Sequence, residues 1–460
     1  MADAVLGKNE VDIADVVEGQ ERGILPVSNF VFMTFLLCCL IMLADGFDNQ
    51  ALNWVSRSIT DEWGIERAFI TPVLNVSILG WMTGSIGFAM IADKLGRRNS
   101  VIVAVLLFGL FTLMLPFARN LWELGALRFL ATIGVGGAMP MAIALISDYT
   151  KAKNRGLAIT MLYLGYTAGS SIGGFLAAEM ITALGWRSVF YLGGGIAVAI
   201  ALVLYLFLPE SARYLLVSGG SREKILGYAK KLRPSANYSA DTVFVINEQK
   251  KVAARVPLKH LFSDGRAAMT TFLWFAFGFS FFTHFFLSQW LANLLTDYVG
   301  TADAVRTQSL FQLGAGFGFI FGYLIDKKGI PVMTWTNLLA VIPVAAIGFM
   351  VDSGTTTLMA LSLISGILVL GGNIGTNAIS GMIYPTFIRS TATGAAFAVA
   401  RIGAILGPLI AGYLIYIEMP IQWIFLMGAV PMIPAGIACW LLSRSVELPK
   451  DGKSVMGRGH

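Results

Sequence analysis

Charge is scarce in this 460-residue chain: Asp, Glu, Lys and Arg make up 13% of it, where a soluble domain carries about 25%. A solvated surface of this size is thereby excluded. Cysteine is almost missing. Cys38, Cys39 and Cys439 each sit inside an apolar run, so neither a disulfide framework nor thiolate metal spacing follows. Histidine occurs three times, as His260, His284 and His460, and no catalytic or metal-binding set can be assembled from it. No phosphate-binding loop is found, which argues against ATP drive. Residues 1–27 lean acidic and lack the basic start of a signal peptide, so the first apolar helix is expected to act as its own insertion signal. What abounds is apolar: 56% of residues are hydrophobic, and the mean hydropathy is +0.72. Length alone suggests two or three soluble domains, but composition overrides it. The chain reads as a polytopic membrane protein.

A bilayer core about 30 Å thick needs about 20 apolar residues per helix. Twelve segments qualify: 28–50, 68–92, 99–118, 122–147, 155–184, 188–208, 268–296, 305–325, 332–351, 356–383, 391–415 and 420–443. The one long polar stretch, 209–267, divides them six and six. The expected organisation is a tail 1–27, a bundle 28–208, a linker 209–267, a second bundle 268–443 and a tail 444–460. Lys and Arg sort by side. If the N-terminus is cytoplasmic, 26 of the 33 fall on that face and five on the other: Arg57, Arg67, Arg119, Arg187 and Arg306. Short cytoplasmic loops retain basic residues. Both termini are therefore expected inside, and the net charge of +6 is explained without nucleic acid.

The two halves repeat a loop. "AMIADKLGRR" at 89–98 and "GYLIDKKG" at 322–329 carry Asp-Lys-x-Gly cores at Asp93 and Asp326, in matching places of each half. Two six-helix halves with a repeated loop are what a rocking transporter looks like. The loops resemble the G-x3-D-[RK]-x-G-x-[RK]-[RK] signature of the major facilitator superfamily. The first copy departs from it with Ala89 at the leading glycine, and the second lacks the basic pair. "RFLATIGVGG" at 128–137, "DYTKAKNR" at 148–155, "PESAR" at 209–213, "YPTFIRSTATG" at 384–394 and "RIGAILGP" at 401–408 extend the likeness over roughly 28–445. The run Asp45-Gly46-Phe47-Asp48, with the PESAR and RIGAILG stretches, is similar to the aromatic acid:proton symporter family. That resemblance implies proton-coupled import of aromatic carboxylates, such as hydroxylated benzoates, into a bacterial cell.

Asp45 and Asp48 lie three apart and share a helix face. A carboxylate in hydrocarbon costs several kcal/mol and is a functional hypothesis by default. Two close, dry carboxylates cannot both stay charged cheaply, which suits a proton carrier, Asp45 more than Asp48. The plainer alternative is a helix end reaching water, since Asn49, Gln50 and Asn53 follow. Arg128 and Arg401 are the cations within the bundles, and an arginine meets a carboxylate in a planar fork. One of them could hold a substrate carboxylate, Arg401 being the better candidate, while the other could pair with an Asp. The resemblance links Arg128 to gating and coupling, and the plain alternative is a structural arginine at a helix mouth. "THFFLSQWLAN" at 283–293 offers Trp290 to stack on a ring, Gln289 and Asn293 to bind ring hydroxyls, and His284 for proton transfer. The plain alternatives are an interfacial aromatic belt and a packing histidine. Asn373 and Asn377, four apart, could bind substrate or glue helices. Asp93, Arg97, Arg98, Asp148, Arg155, Glu210 and Asp326 are expected to latch the bundles at the inner face.

"GSSIG" at 169–173 fits a hydrolase elbow around Ser171, but it lies mid-helix with no strand before it and reads as close packing. Gly314, Gly318 and Gly322 make a second small-residue face. The expectation is an all-α membrane protein of twelve helices in two pseudo-symmetric bundles. It is not an enzyme, uses no cofactor or metal beyond the proton, and sits as a monomer in a bacterial inner membrane. Its partners are a small organic anion, the proton and the bilayer. An aliphatic acid such as muconate, a sugar, or a transporter-like sensor stay as alternatives.

Overall fold

The computed structural model describes residues 10–21, 28–236, 238–239, 242–245, 258–263, 265–384 and 388–446. Ahead of the first long helix come strand β1 (Glu10–Asp12) and helix α1 (Ile13–Glu18). Six long helices follow: α2 (Asn29–Trp63), α3 (Thr71–Leu95), α4 (Arg97–Met114), α5 (Leu121–Tyr149), α6 (Arg155–Leu184) and α7 (Arg187–Phe207). The linker holds α8 (Ala212–Val217), α9 (Arg222–Leu232) and strand β2 (Val243–Val245). The last six are α10 (Ala267–Val299), α11 (Thr301–Lys328), α12 (Pro331–Phe349), α13 (Thr355–Ile383), α14 (Arg389–Tyr416) and α15 (Ile421–Ser445). A 3-10 turn at Gly314–Phe317 interrupts α11, and a π stretch at Ile367–Gly371 interrupts α13.

Among the described residues, eleven helices are both long and apolar enough to cross a membrane. The twelfth, α6, has 30 residues, about 45 Å at 1.5 Å per residue. Its apolar character is diluted by small residues such as Gly165, Gly169, Ser170, Ser171 and Gly174. Those residues do packing work. A Cβ on Gly169 would strike the backbone oxygen of Leu43 in α2, and Ser171 is buried, in line with reading "GSSIG" as a packing face. The Gly314 face behaves similarly in part. Gly314 meets the backbone of Gly366 and Gly318 meets Ile374, whereas Gly322 faces open space.

The first helix runs to Trp63, well past the expected end at 50. Polar Gln50, Asn53 and Ser56 lie on its continuation, and all three are buried. They are hydrogen-bonded within protein, not wet.

Two compact units emerge. One comprises Met1–Asn49, Leu79–Gly169 and Phe190–Lys251, the other Gln50–Ile78, Ser170–Val189 and Val252–His460. The core of the first is built on Phe88, Phe108, Leu145, Tyr149 and Leu204, and that of the second on Phe277, Phe321, Met333 and Tyr384.

The N-terminal segment is ordered into the first core. Asp12 caps α1 by accepting from the Ala14 N–H at 2.9 Å, as an N-cap carboxylate does. Ile13, Val16 and Val17 then fall on one face and are buried with Ile225, Ala229 and Leu232 of α9. β1 pairs in parallel with β2, Val11 opposite Phe244. The Lys151 ammonium donates to the Gln20 carbonyl at 3.1 Å, and the Ala152 N–H donates to Glu18 at 2.7 Å. Residues 10–21 thus strap the linker to the turn after α5.

Candidate functional site

Two buried clusters gather six of the expected site residues. In the first unit, Asp45, Asp48 and Arg128 are 0%, 1% and 2% exposed. The Arg128 guanidinium is split: Nη1 donates to Asp48 Oδ2 at 2.8 Å and Nη2 to the Asp48 carbonyl at 2.8 Å. Thr112 of α4 donates to Asp48 Oδ1 at 2.6 Å. Both carboxylate oxygens of Asp48 are therefore held, and its charge is matched. Such a pair, once desolvated, is costly to break on one side only. Asp45, one turn earlier, has no hydrogen-bond partner on either oxygen among the described residues. Tyr163 and Tyr166 of α6 lie within its electrostatic reach. An unpartnered carboxylate in such a surround is expensive unless it carries a proton. The geometry therefore separates two residues that the sequence offers as equals in kind: Asp48 is fixed by its cation and Asp45 is the open acid.

In the second unit, Asn373 of α13 accepts from Ser280 of α10 and faces His284 Nδ1 at 3.2 Å. The Arg401 guanidinium of α14 lies within electrostatic reach of His284. Phe281 and Phe285 flank the imidazole, with ring centroids at 5.7 and 4.8 Å. A half-buried cation, an imidazole, an amide and aromatic faces so gathered can receive a carboxylate on an aromatic ring. Gln289 and Asn293 are buried, and each keeps a side-chain oxygen without a partner among the described residues. Asn293 Nδ2 donates to Ser56 at 3.3 Å. Trp290 is fully buried, and its indole N–H donates to the Pro408 carbonyl at 3.2 Å, so it pins α10 to α14. Asn377 is exposed, and its backbone carbonyl accepts from Ser380 at 2.7 Å.

The inner-face residues form a tight network within the first unit. Gly96 starts α4 at φ 86°, a conformation that suits glycine. The Glu210 carboxylate then accepts from the Arg97 and Arg98 N–H groups, each at 3.0 Å, so it sits on the positive end of α4. Asp148 pairs with Arg97 and accepts from Ser211. Arg98 reaches the carbonyls of Tyr205 and Leu208. Thus Arg97, Arg98, Asp148 and Glu210 are brought together. Arg155 and Asp326 are exposed, with no ion pair seen for either among the described residues. The side chain of Asp93 lies outside the described residues.

Several polar partners were missed from the sequence. Gln308 of α11 donates to the Ser288 carbonyl at 2.6 Å and to Gln50 Oε1 at 3.1 Å, and accepts from the Ala292 N–H at 3.0 Å. Gln312 donates to Ser288 Oγ at 3.0 Å. Two glutamines four apart in a spanning helix were a readable signal. Thr112 and Ser280 carried none, since a lone hydroxyl in a helix usually bonds its own turn.

The model of the family described as Major Facilitator Superfamily matches residues 35–354 and 307–458. A 4-hydroxybenzoate transporter, PcaK, of Pseudomonas putida is 34% identical over 385 residues, 83% of this chain and 86% of the relative. A gallate transporter of the same species is 31% identical over 440 residues, 93% of this chain and 94% of the relative. Among solved structures, the fold is similar to that of a bacterial homologue of the human lysosomal transporter Spinster. The TM-score is 0.68 at 18% identity, covering 91% of this chain and 96% of that one.

Proposed function

Because the chain belongs to the major facilitator superfamily, and is thus a multi-pass membrane transporter and not an enzyme, we propose that it imports an aromatic carboxylate together with a proton. The substrate class rests on relatives named for 4-hydroxybenzoate and gallate. The observation that carries the coupling is Asp45, fully buried and without a partner beside the matched Asp48–Arg128 pair. Asp45 takes a proton from outside and releases it inside during alternating access. Arg401 receives the substrate carboxylate, with His284 and Asn373 beside it and Phe281 and Phe285 against the ring. Gln289 and Asn293 offer acceptors to ring hydroxyls. The basic loops face the cytoplasm of a bacterial cell, the termini with them, and the working unit is a monomer in the inner membrane. Arg97, Asp148, Ser211 and Glu210 stiffen the inner end of the first unit so that the inner face opens and closes as a block.

The test is uptake into proteoliposomes under an imposed inward proton gradient. Labelled benzoate, 4-hydroxybenzoate, gallate, muconate and a hexose are offered to the unaltered protein and to Asp45→Asn. A hydroxylated aromatic acid accumulates with the former and only equilibrates with the latter. Accumulation by Asp45→Asn at the parent's level moves coupling elsewhere, and uptake of the hexose alone removes the aromatic substrate.

A further inference from the structure

On the face opposite the basic loops, four of its five arginines are paired with acids inside the second unit. Arg57 of α2 reaches Asp297 of α10 at 3.1 Å and Asp61 at 2.9 Å. Arg67, just after α2, also pairs with Asp297. Arg306 of α11 pairs with Glu179 of α6 and, at 2.6 Å, with Asp303. Arg187 pairs with Glu62 at 2.7 Å. Asp297 is the common point: one carboxylate holds two arginines, one on the first long helix and one just after it. Beneath this charged layer lies an uncharged one, made by Asn293 with Ser56 and by Gln308 with Gln50 and Ser288.

The seam joining α2 to α10 and α11 is therefore polar through two layers. The neighbouring contact between α10 and α14 is built differently. A Cβ on Gly403 would strike the Gly278 carbonyl, and one on Gly407 would meet that of Phe282. Small-residue contacts of that kind let backbones touch and suit a permanent joint. Amides and ion pairs suit one that opens, because water replaces their partners at little loss, and exposed pairs contribute only modestly.

We propose that this seam is the outer gate, that Asp297 is its release point, and that on opening Arg57 and Arg67 become a receiving subsite for the carboxylate of the incoming substrate. The receiving role rests on the organic-anion reading above; the gate does not. When Asp297 lets go, Arg67 loses its acid while Arg57 keeps only Asp61. The entry thus gains one net positive charge, and a positively charged entry raises the local concentration of an oppositely charged substrate. The effect fades with salt.

Ser309 reports on the seam. It is fully buried, and a Cβ on Gly174 of α6 would strike its hydroxyl. Ser309→Cys is made in the full chain, and a membrane-impermeant maleimide is added to protein in detergent, with the parent correcting for Cys38, Cys39 and Cys439. Asp297→Asn is expected to speed labelling about tenfold, the shift that about 1.4 kcal/mol of lost closure produces. Asp297→Glu restores slow labelling. In proteoliposomes, Asp297→Asn lowers KM for the carboxylate and also lowers turnover, since the outward-open form is favoured. Arg57→Gln with Arg67→Gln also labels fast, but its KM rises and loses its salt dependence. Equal labelling of Asp297→Asn and its parent overturns the gate. Fast labelling with an unchanged KM in the double arginine variant overturns the receiving subsite. If the parent takes up no carboxylate, the transport reading and the receiving role fall together, and the labelling contrast still decides the gate.

Discussion

Of the two buried acids among the described residues, Asp48 has settled partners and Asp45 has none. Asp48, Arg128 and Thr112 form a closed set, so removing one member leaves the others stranded. Arg128→Gln leaves the Asp48 charge uncompensated and is expected to destabilise the protein by about 3–5 kcal/mol. Asp48→Asn with Arg128→Gln should regain part of that loss, because both charges go. Thermal unfolding of the purified protein in detergent checks the order: the double variant melts above Arg128→Gln. Asp45→Asn removes no partner and should leave the melting temperature close to the parent's while abolishing accumulation. This pairing of effects separates a structural acid from a working one. The sequence showed the two aspartates and the arginine. It did not show which aspartate the arginine takes, because helix spacing sets a shared face and not a partner across the bundle.

At the scale of the element, glycine positions decide how closely helices meet. In α3, a Cβ on Gly84 would strike the Ile133 carbonyl of α5, while one on Gly87 meets nothing within 4 Å. Gly84→Ala is expected to destabilise by about 1–3 kcal/mol through overpacking. Gly87→Ala should be neutral or gain up to about 1 kcal/mol from helix propensity. Melting curves of the two variants, one turn apart, make the comparison. The strap of β1 and α1 is a second case. Val16 is fully buried among α9 side chains, so Val16→Asp should release residues 10–21, read as faster protease cleavage near that segment with the long helices intact. Nothing in the sequence of residues 10–21 announces the strap. Three apolar residues at positions 13, 16 and 17 are too few to announce a helix without the surface that receives them.

For the whole molecule the question is charge balance. A monoanion moving with one proton is electroneutral, so accumulation follows the pH difference, about 1.4 kcal/mol per unit. A second proton would add the membrane potential, about 2.3 kcal/mol per 100 mV. With Asp45 the one buried carboxylate that lacks a hydrogen-bond partner among the described residues, one proton is expected. A potassium diffusion potential of about 100 mV should then change accumulation less than about twofold, whereas two protons would change it by well over tenfold. Flux in proteoliposomes with clamped pH and varied potential distinguishes them.

The sequence by itself determined the membrane class, the six-and-six division, the basic face and the family likeness. Each rests on something additive along the chain: apolar length against bilayer thickness, loop charge and local motifs. Helix ends were legible only where composition changed sharply, and α2 shows the limit. Asn49, Gln50 and Asn53 left a wet end open as an alternative, yet the helix continues to Trp63 with Gln50, Asn53 and Ser56 buried. Only the tertiary structure decided that, because a polar side chain is wet or dry according to what packs on it, here α10 and α11. The same reason separates Asp45 from Asp48 and places Trp290 against Pro408. Partnership between residues distant in the chain is set by how helices lean together, and no local pattern records it.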